Sequence, residues 1–177
     1  MSDPRTLSAA ACEILVEREL RKAGIEPVGL RRTTRPGPAA DATDFAFDLH
    51  GRLEAYDRRW SVLIACRNRP DAVSAADIDA LHTRAREKRA ASALLFSTSA
   101  FPIETVRQAH ELRIALFRVV DAQSALLMWR MILPGALPAW VPELTVELVA
   151  LENDAATAQP LEPGSPELVL RQLRAAR

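Results

Sequence analysis

With 177 residues the chain is long enough to bury a core and suits one domain with a tail. Lysine plus arginine and aspartate plus glutamate both total 23, so the formal charge is zero; this excludes nucleic-acid binding by overall basicity and leaves only a local patch. No stretch approaches the ~18 uninterrupted apolar residues of a membrane span, the start lacks a signal pattern, and Cys12 and Cys66 form no metal spacing or disulfide framework, so the expectation is a cytoplasmic protein with free thiols.

Thr6 or Ser8 can cap a first helix running to Lys22 or Ala23, and Gly24 stands where helices commonly stop. Cys12, Leu15, Val16, Leu20 and Ala23 form its apolar stripe, with Glu13 and Glu17 one turn apart on the border. A short strand over 28–33 and a Pro/Gly loop follow. In "DFAFDLH", Phe45, Phe47 and Leu49 alternate with Asp44, Ala46, Asp48 and His50, and a period of two predicts a strand. Gly51 and Arg52 read as the turn after it. "SVLIAC" is apolar without interruption, which suits a strand covered on both faces.

Ser74 with Asp77 three residues on resembles a capping box, and Ile78, Leu81 and Ala85 mark the inward stripe of a second helix. "SALLFS" is a buried strand, and Pro102 opens a helix through Leu112 at the position where proline is tolerated. "IALFRVV" is a strand and "DAQSALLMWRMI" a closing helix. Alternating helices and strands after the first three strands predict a mixed sheet with helices on both faces. From Pro134 the chain turns Pro-rich and leans acidic, so two regions are expected, a domain over 1–133 and a tail over 134–177. The tail ends in a short helix capped by Ser165, with Pro166 at its start and Leu168, Val169 and Leu173 on one side. That side either packs on the chain's own domain or meets a partner.

Several of these pieces stand in a familiar order. A helix ending in glycine ("ACEILVERELRKAG") precedes a strand with a D-x-x-x-D pair, Asp44 and Asp48. The strand ending "ACR" follows, then Val73, Asp77, Ile78 and Leu81, then "LLFSTSAF", then Ala109 and Ile114 to Phe117. This layout, over roughly residues 8–130, resembles the Mrr-like restriction endonucleases of the PD-(D/E)XK nuclease superfamily. The resemblance implies an α/β fold: a restriction-endonuclease-like mixed sheet flanked by helices, in the order α-β-β-β-α-β-α-β-α, plus the Pro-rich C-terminal tail.

It also implies a site. In the family Mg²⁺ polarises the scissile phosphate and activates water, held by one or two carboxylates and phosphate oxygens. By position, Asp48 is the first acid and the backbone carbonyl of Cys66 a further metal ligand. Glu13, on the first helix, matches a glutamate found near the site. The signature then departs from the family twice. Ala65 stands where the family has an acid or glutamine, and Arg67 stands where it has lysine. Arginine keeps the charge but stays protonated and prefers two-pronged contacts. The implied role is therefore DNA binding with an eroded catalytic signature, in restriction, defence or repair. The alternatives are an active Mg²⁺-dependent endonuclease using Asp48, Arg67 and Glu13, or an interaction subunit whose protein partner meets residues 134–177. A homodimer is a further expectation.

The remaining candidates carry two readings each. Asp48 belongs to such a site or forms an ion pair with Arg67, and the two are compatible. Arg31, Arg32 and Arg35, with Arg67 and Arg69, are the nucleic-acid candidates. Arg84, Arg86, Lys88 and Arg89 form a second basic run, for which a solvated helix face is the default. Ser97, Thr98 and Ser99 cap backbone groups or line the site wall, and His50 shares a strand face with Asp48.

Overall fold

The computed structural model describes residues 2–33, 38–128 and 142–173. After a short 3-10 turn at Pro4–Thr6 comes α1 (Ala9–Lys22), capped by the Ser8 hydroxyl, which accepts from the Ala11 N–H. Gly24 ends it at φ +84°, a left-handed conformation that glycine adopts without Cβ strain. Then follow β1 (Glu26–Arg32), β2 (Phe45–Ala55), β3 (Arg58–Asn68), α2 (Ala75–Glu87), β4 (Ser92–Ser97), α3 (Ile103–Glu111), β5 (Ile114–Asp121) and α4 (Ala122–Met128). The described chain closes with β6 (Leu144–Glu152), β7 (Ala155–Pro160) and α5 (Glu167–Leu173).

The strands form one seven-stranded sheet in which spatial order equals chain order. β3, β4 and β5 run parallel, joined by the crossover helices α2 and α3, and the flanking pairs are antiparallel. β3 is the axis of the molecule. Val62, Ile64 and Cys66 face one core, with Phe47 and Leu49 of β2, Leu15 and Leu20 of α1, and Val169 and Leu173 of α5. Leu63 and Ala65 face the other, with Ile78, Leu81 and Ala85 of α2 and Val106 and Ala109 of α3. Each large side chain buried this way contributes roughly 1.5–3 kcal/mol. Both cores must be filled for β3 to leave water, which is why its sequence does not alternate.

Two expectations change. The turn after β2 is at Tyr56 and Asp57, with φ of 49° and 59°, the paired left-handed geometry of a two-residue hairpin. Gly51 lies inside the strand, because a Cβ there would meet the Leu30 side chain at 2.8 Å and the Gly29 carbonyl oxygen at 3.0 Å. The region read as a tail contributes β6 and β7 to the same sheet, and α5 buries Val169, Leu170 and Leu173 on the chain's own core. Proline-rich flanks disguised these strands; a second two-residue turn, at Asn153 and Asp154, joins them.

β6 is tied to α1 by a polar cluster around the buried Glu19. Glu19 accepts from Arg18 Nε at 3.0 Å, from the Thr145 hydroxyl at 3.0 Å and from Lys22. Arg18 also donates to the Leu144 carbonyl at 2.6 Å. On the next strand pair, buried Glu147 accepts from Arg118 directly across the ladder.

Candidate functional site

The start of β2, the carboxyl ends of β3 and β4, and the first turns of α2 enclose a cavity of about 220 Å³. Ligands of open α/β sheets commonly bind outside the carboxyl ends of parallel strands. Asp48 and Ala65 are register partners on neighbouring strands, and period two puts Arg67 on the same face. The three positions that the resemblance singled out therefore converge on one wall, with Arg69 and Arg84 beside them.

Asp48 does not meet Arg67, the ion pair weighed for it above. Its two oxygens are held by Arg84 of α2, Nε to Oδ2 at 2.7 Å and Nη2 to Oδ1 at 3.0 Å. This is the two-pronged geometry that makes an arginine–carboxylate pair strong. Arg84 can reach inward because it borders the stripe of Leu81 and Ala85 and is not on the solvated face. Within the second basic run, that default reading fails for this residue.

Arg67 is held elsewhere. Its side chain is 9% exposed, with Nη1 donating to Asp77 Oδ2 at 2.6 Å and Nη2 to Asp71 Oδ2 at 2.5 Å. Its Nε is buried and has no hydrogen-bond partner among the described residues. Asp77 is the pivot of this corner. The same oxygen that receives Arg67 also accepts the Ser74 N–H and hydroxyl, each at 2.8 Å, and so closes the capping box of α2. Burial pushes the Asp77 carboxyl up, but the Ser74 N–H, the Ser74 hydroxyl and Arg67 together hold it below the ordinary aspartate value.

Of the other candidates, Arg32, Cys66 and Arg69 border the same cavity, and Glu13 and Arg31 are not part of its lining. Glu13 holds Arg32, which also donates to the Pro38 carbonyl at 2.8 Å and lies 4.6 Å over the Phe47 ring. Glu13 itself lines a separate hollow on the outer side of α1, with Ile14 and Glu17. Cys66 points away from Asp48 into the α1 core, where burial and the neighbouring Cys12 thiol push its own thiol well above the usual range. Its backbone pairs with Phe47 and Phe96 in mid-sheet. Arg31 is exposed on β1, and Arg69 is half-exposed with its Nε 3.7 Å from Asp44. Arg35 lies outside the described residues.

In the hydroxyl run below β4, Ser97 and Ser99 bond backbone, as capping side chains do, and Thr98 bonds a side chain. Ser97 accepts the Ser99 N–H at 3.1 Å, and Ser99 donates to the Arg69 carbonyl. Thr98 donates to Asn68 Oδ1 at 2.7 Å, while Asn68 Nδ2 donates to the carbonyls of Arg5 and Leu7. His50 has a buried Nε2 with no partner among the described residues.

The sequence placed Arg84 on a solvated face and gave no sign of its bond to Asp48, of Asp71, or of the second role of Asp77. For Arg84 the signal was its spacing, three residues after Leu81 and one before Ala85, at the edge of the apolar stripe. A Mg²⁺ ion would ask for free carboxylate oxygens in near-octahedral array. Here both oxygens of Asp48 are bonded to a guanidinium, Ala65 supplies no ligand atom, and Arg67 is fixed between two aspartates. The residues present do not fit the ion that the resemblance implies. A comparison with protein-family models, curated proteins and solved structures finds no match to this chain.

Proposed function

We propose that the protein is a restriction-endonuclease-like, Mrr-type DNA-binding protein that no longer performs hydrolysis. One observation carries this reading: at the positions where the resemblance requires a metal-binding pair, Asp48 is doubly bonded to Arg84 and faces Ala65. Arg67 bonds Asp77 and Asp71 through its two terminal nitrogens and its side chain is 9% exposed, which favours a structural role over a phosphate contact. The DNA contacts fall to two outward-facing arginines, Arg69 at the cavity and Arg31 exposed on β1.

The test is incubation of the purified protein with plasmid in Mg²⁺ and in Mn²⁺, beside Asp48→Ala, with a gel-retention series in rising salt. No cleavage is expected from either protein, with retention at low salt that weakens as salt rises. Neutralising two phosphates gives a slope of log K against log salt of about −2, and Arg31→Ala or Arg69→Ala would each reduce it by about 1. Cleavage by the parent protein that disappears in Asp48→Ala would make it an active endonuclease. Absence of retention at low salt would end the DNA reading.

A further inference from the structure

The disagreement between this site and a divalent metal has its own explanation in the geometry. We infer that Arg84 is the resident cation of the site: a tethered guanidinium that occupies the carboxylate of Asp48 and keeps divalent metal out. The inference rests on the reading of Asp48 and Ala65 as a former metal-binding pair.

Asp48 is 12% exposed, and a carboxylate so enclosed needs a counter-charge. Arg84 supplies it through two bonds from one rigid fork. The fork is itself anchored. α2 is pinned by the Ser74–Asp77 capping box and the Asp77–Arg67 bridge at one end, and by buried Ile78, Leu81 and Ala85 along its length. A tethered group of this kind competes at an effective concentration of roughly millimolar or above. A free divalent ion displaces it only by gaining ligands the guanidinium does not need, and Ala65 offers none.

Two features therefore exclude the metal, and each is sufficient alone. This predicts a non-additive cycle. Ala65→Glu restores a carboxylate, but Arg84 then bonds it or keeps Asp48. Arg84→Ala frees Asp48 but leaves a single acid. Only Ala65→Glu/Arg84→Ala presents two free carboxylates, from register partners, to the same cavity.

The experiment measures melting temperature and isothermal titration with Mn²⁺ for the parent, both single variants, the double variant, and the double variant with Asp48→Asn. EDTA melts establish that each is folded, and Ala65→Asp replaces Ala65→Glu if the longer side chain prevents a cooperative melt. The expected result is saturable Mn²⁺ binding in the double variant alone, raising Tm by about 3 °C or more at about tenfold Kd, and abolished by Asp48→Asn. Equal binding in Ala65→Glu alone, or Asp48-dependent binding in the parent, would show that Arg84 excludes nothing. A folded double variant indifferent to Mn²⁺ would show that no metal position lies beneath Arg84. DNA takes no part in these measurements, so failed gel retention sinks the proposed function and leaves this cycle standing.

Discussion

Glu19 and Asp48 are both enclosed carboxylates held by basic side chains, and they serve opposite ends. Glu19, 2% exposed, is held by three chemically different donors: a guanidinium, an ammonium and the Thr145 hydroxyl on β6. Asp48, 12% exposed, has one side-chain partner among the described residues and borders open volume. A carboxylate that gathers two donors of its own helix and one of β6 is a structural joint, since removing it weakens the tie between the two elements. A carboxylate matched by a single fork beside a cavity has a replaceable partner. Burial alone did not distinguish the two; the number and origin of the donors did.

The sharpest way to break the comparison is Glu19→Ala. Breaking a buried charge cluster costs roughly 3–5 kcal/mol, and the lower figure applies because Arg18 and Lys22 are 38% and 32% exposed and can rehydrate. Urea unfolding is expected to show a loss of about 3 kcal/mol. The β6–β7 hairpin should also lose amide protection first, because Thr145 loses its bond to Glu19 and keeps only the 3.2 Å contact from Lys22.

Asp77→Ala comes next, at about 2 kcal/mol: about 1 for the helix cap, and the remainder for leaving the buried Arg67 with only Asp71, which is 70% exposed. The same residue sharpens the pH dependence. Its folded pKa lies below its unfolded value, so its contribution is complete above about pH 4 and is lost as pH falls through the folded value. In an acid titration monitored by circular dichroism, Asp77→Ala should lose less stability than the parent across that window. Asp48→Asn is the smallest of the set, about 1 kcal/mol by urea unfolding, because Arg84 is 28% exposed and can turn toward water. A loss for Asp48→Asn as large as that for Glu19→Ala would erase the distinction between joint and replaceable partner.

Local signals carried much of the fold. The unbroken apolar run of β3, the period of two in β2 and the Ser74–Asp77 box were readable because each depends on neighbours in sequence. β6 was harder. Thr145 and Glu147 interrupt its apolar run, and the partner of Glu147, Arg118, lies on another strand, so no neighbour in sequence explains why the glutamate is buried. In the site, the common face of Asp48, Ala65 and Arg67 follows from strand periodicity. Their partners do not, because Arg84 and Asp71 are chosen by how α2 packs over the sheet. Asp77 was visible as a cap, and that sufficient explanation concealed its bond to Arg67.

The identity of strand order and chain order bears on how the protein is made. A chain emerging from the ribosome can lay each strand beside the one before it, with no later strand threaded between earlier ones. The Glu19 cluster is one of the exceptions, since Thr145 follows Glu19 by 126 residues. Throughout synthesis α1 thus carries an unfinished ionic joint that waits for β6. The first long helix to be made is among the last to be satisfied.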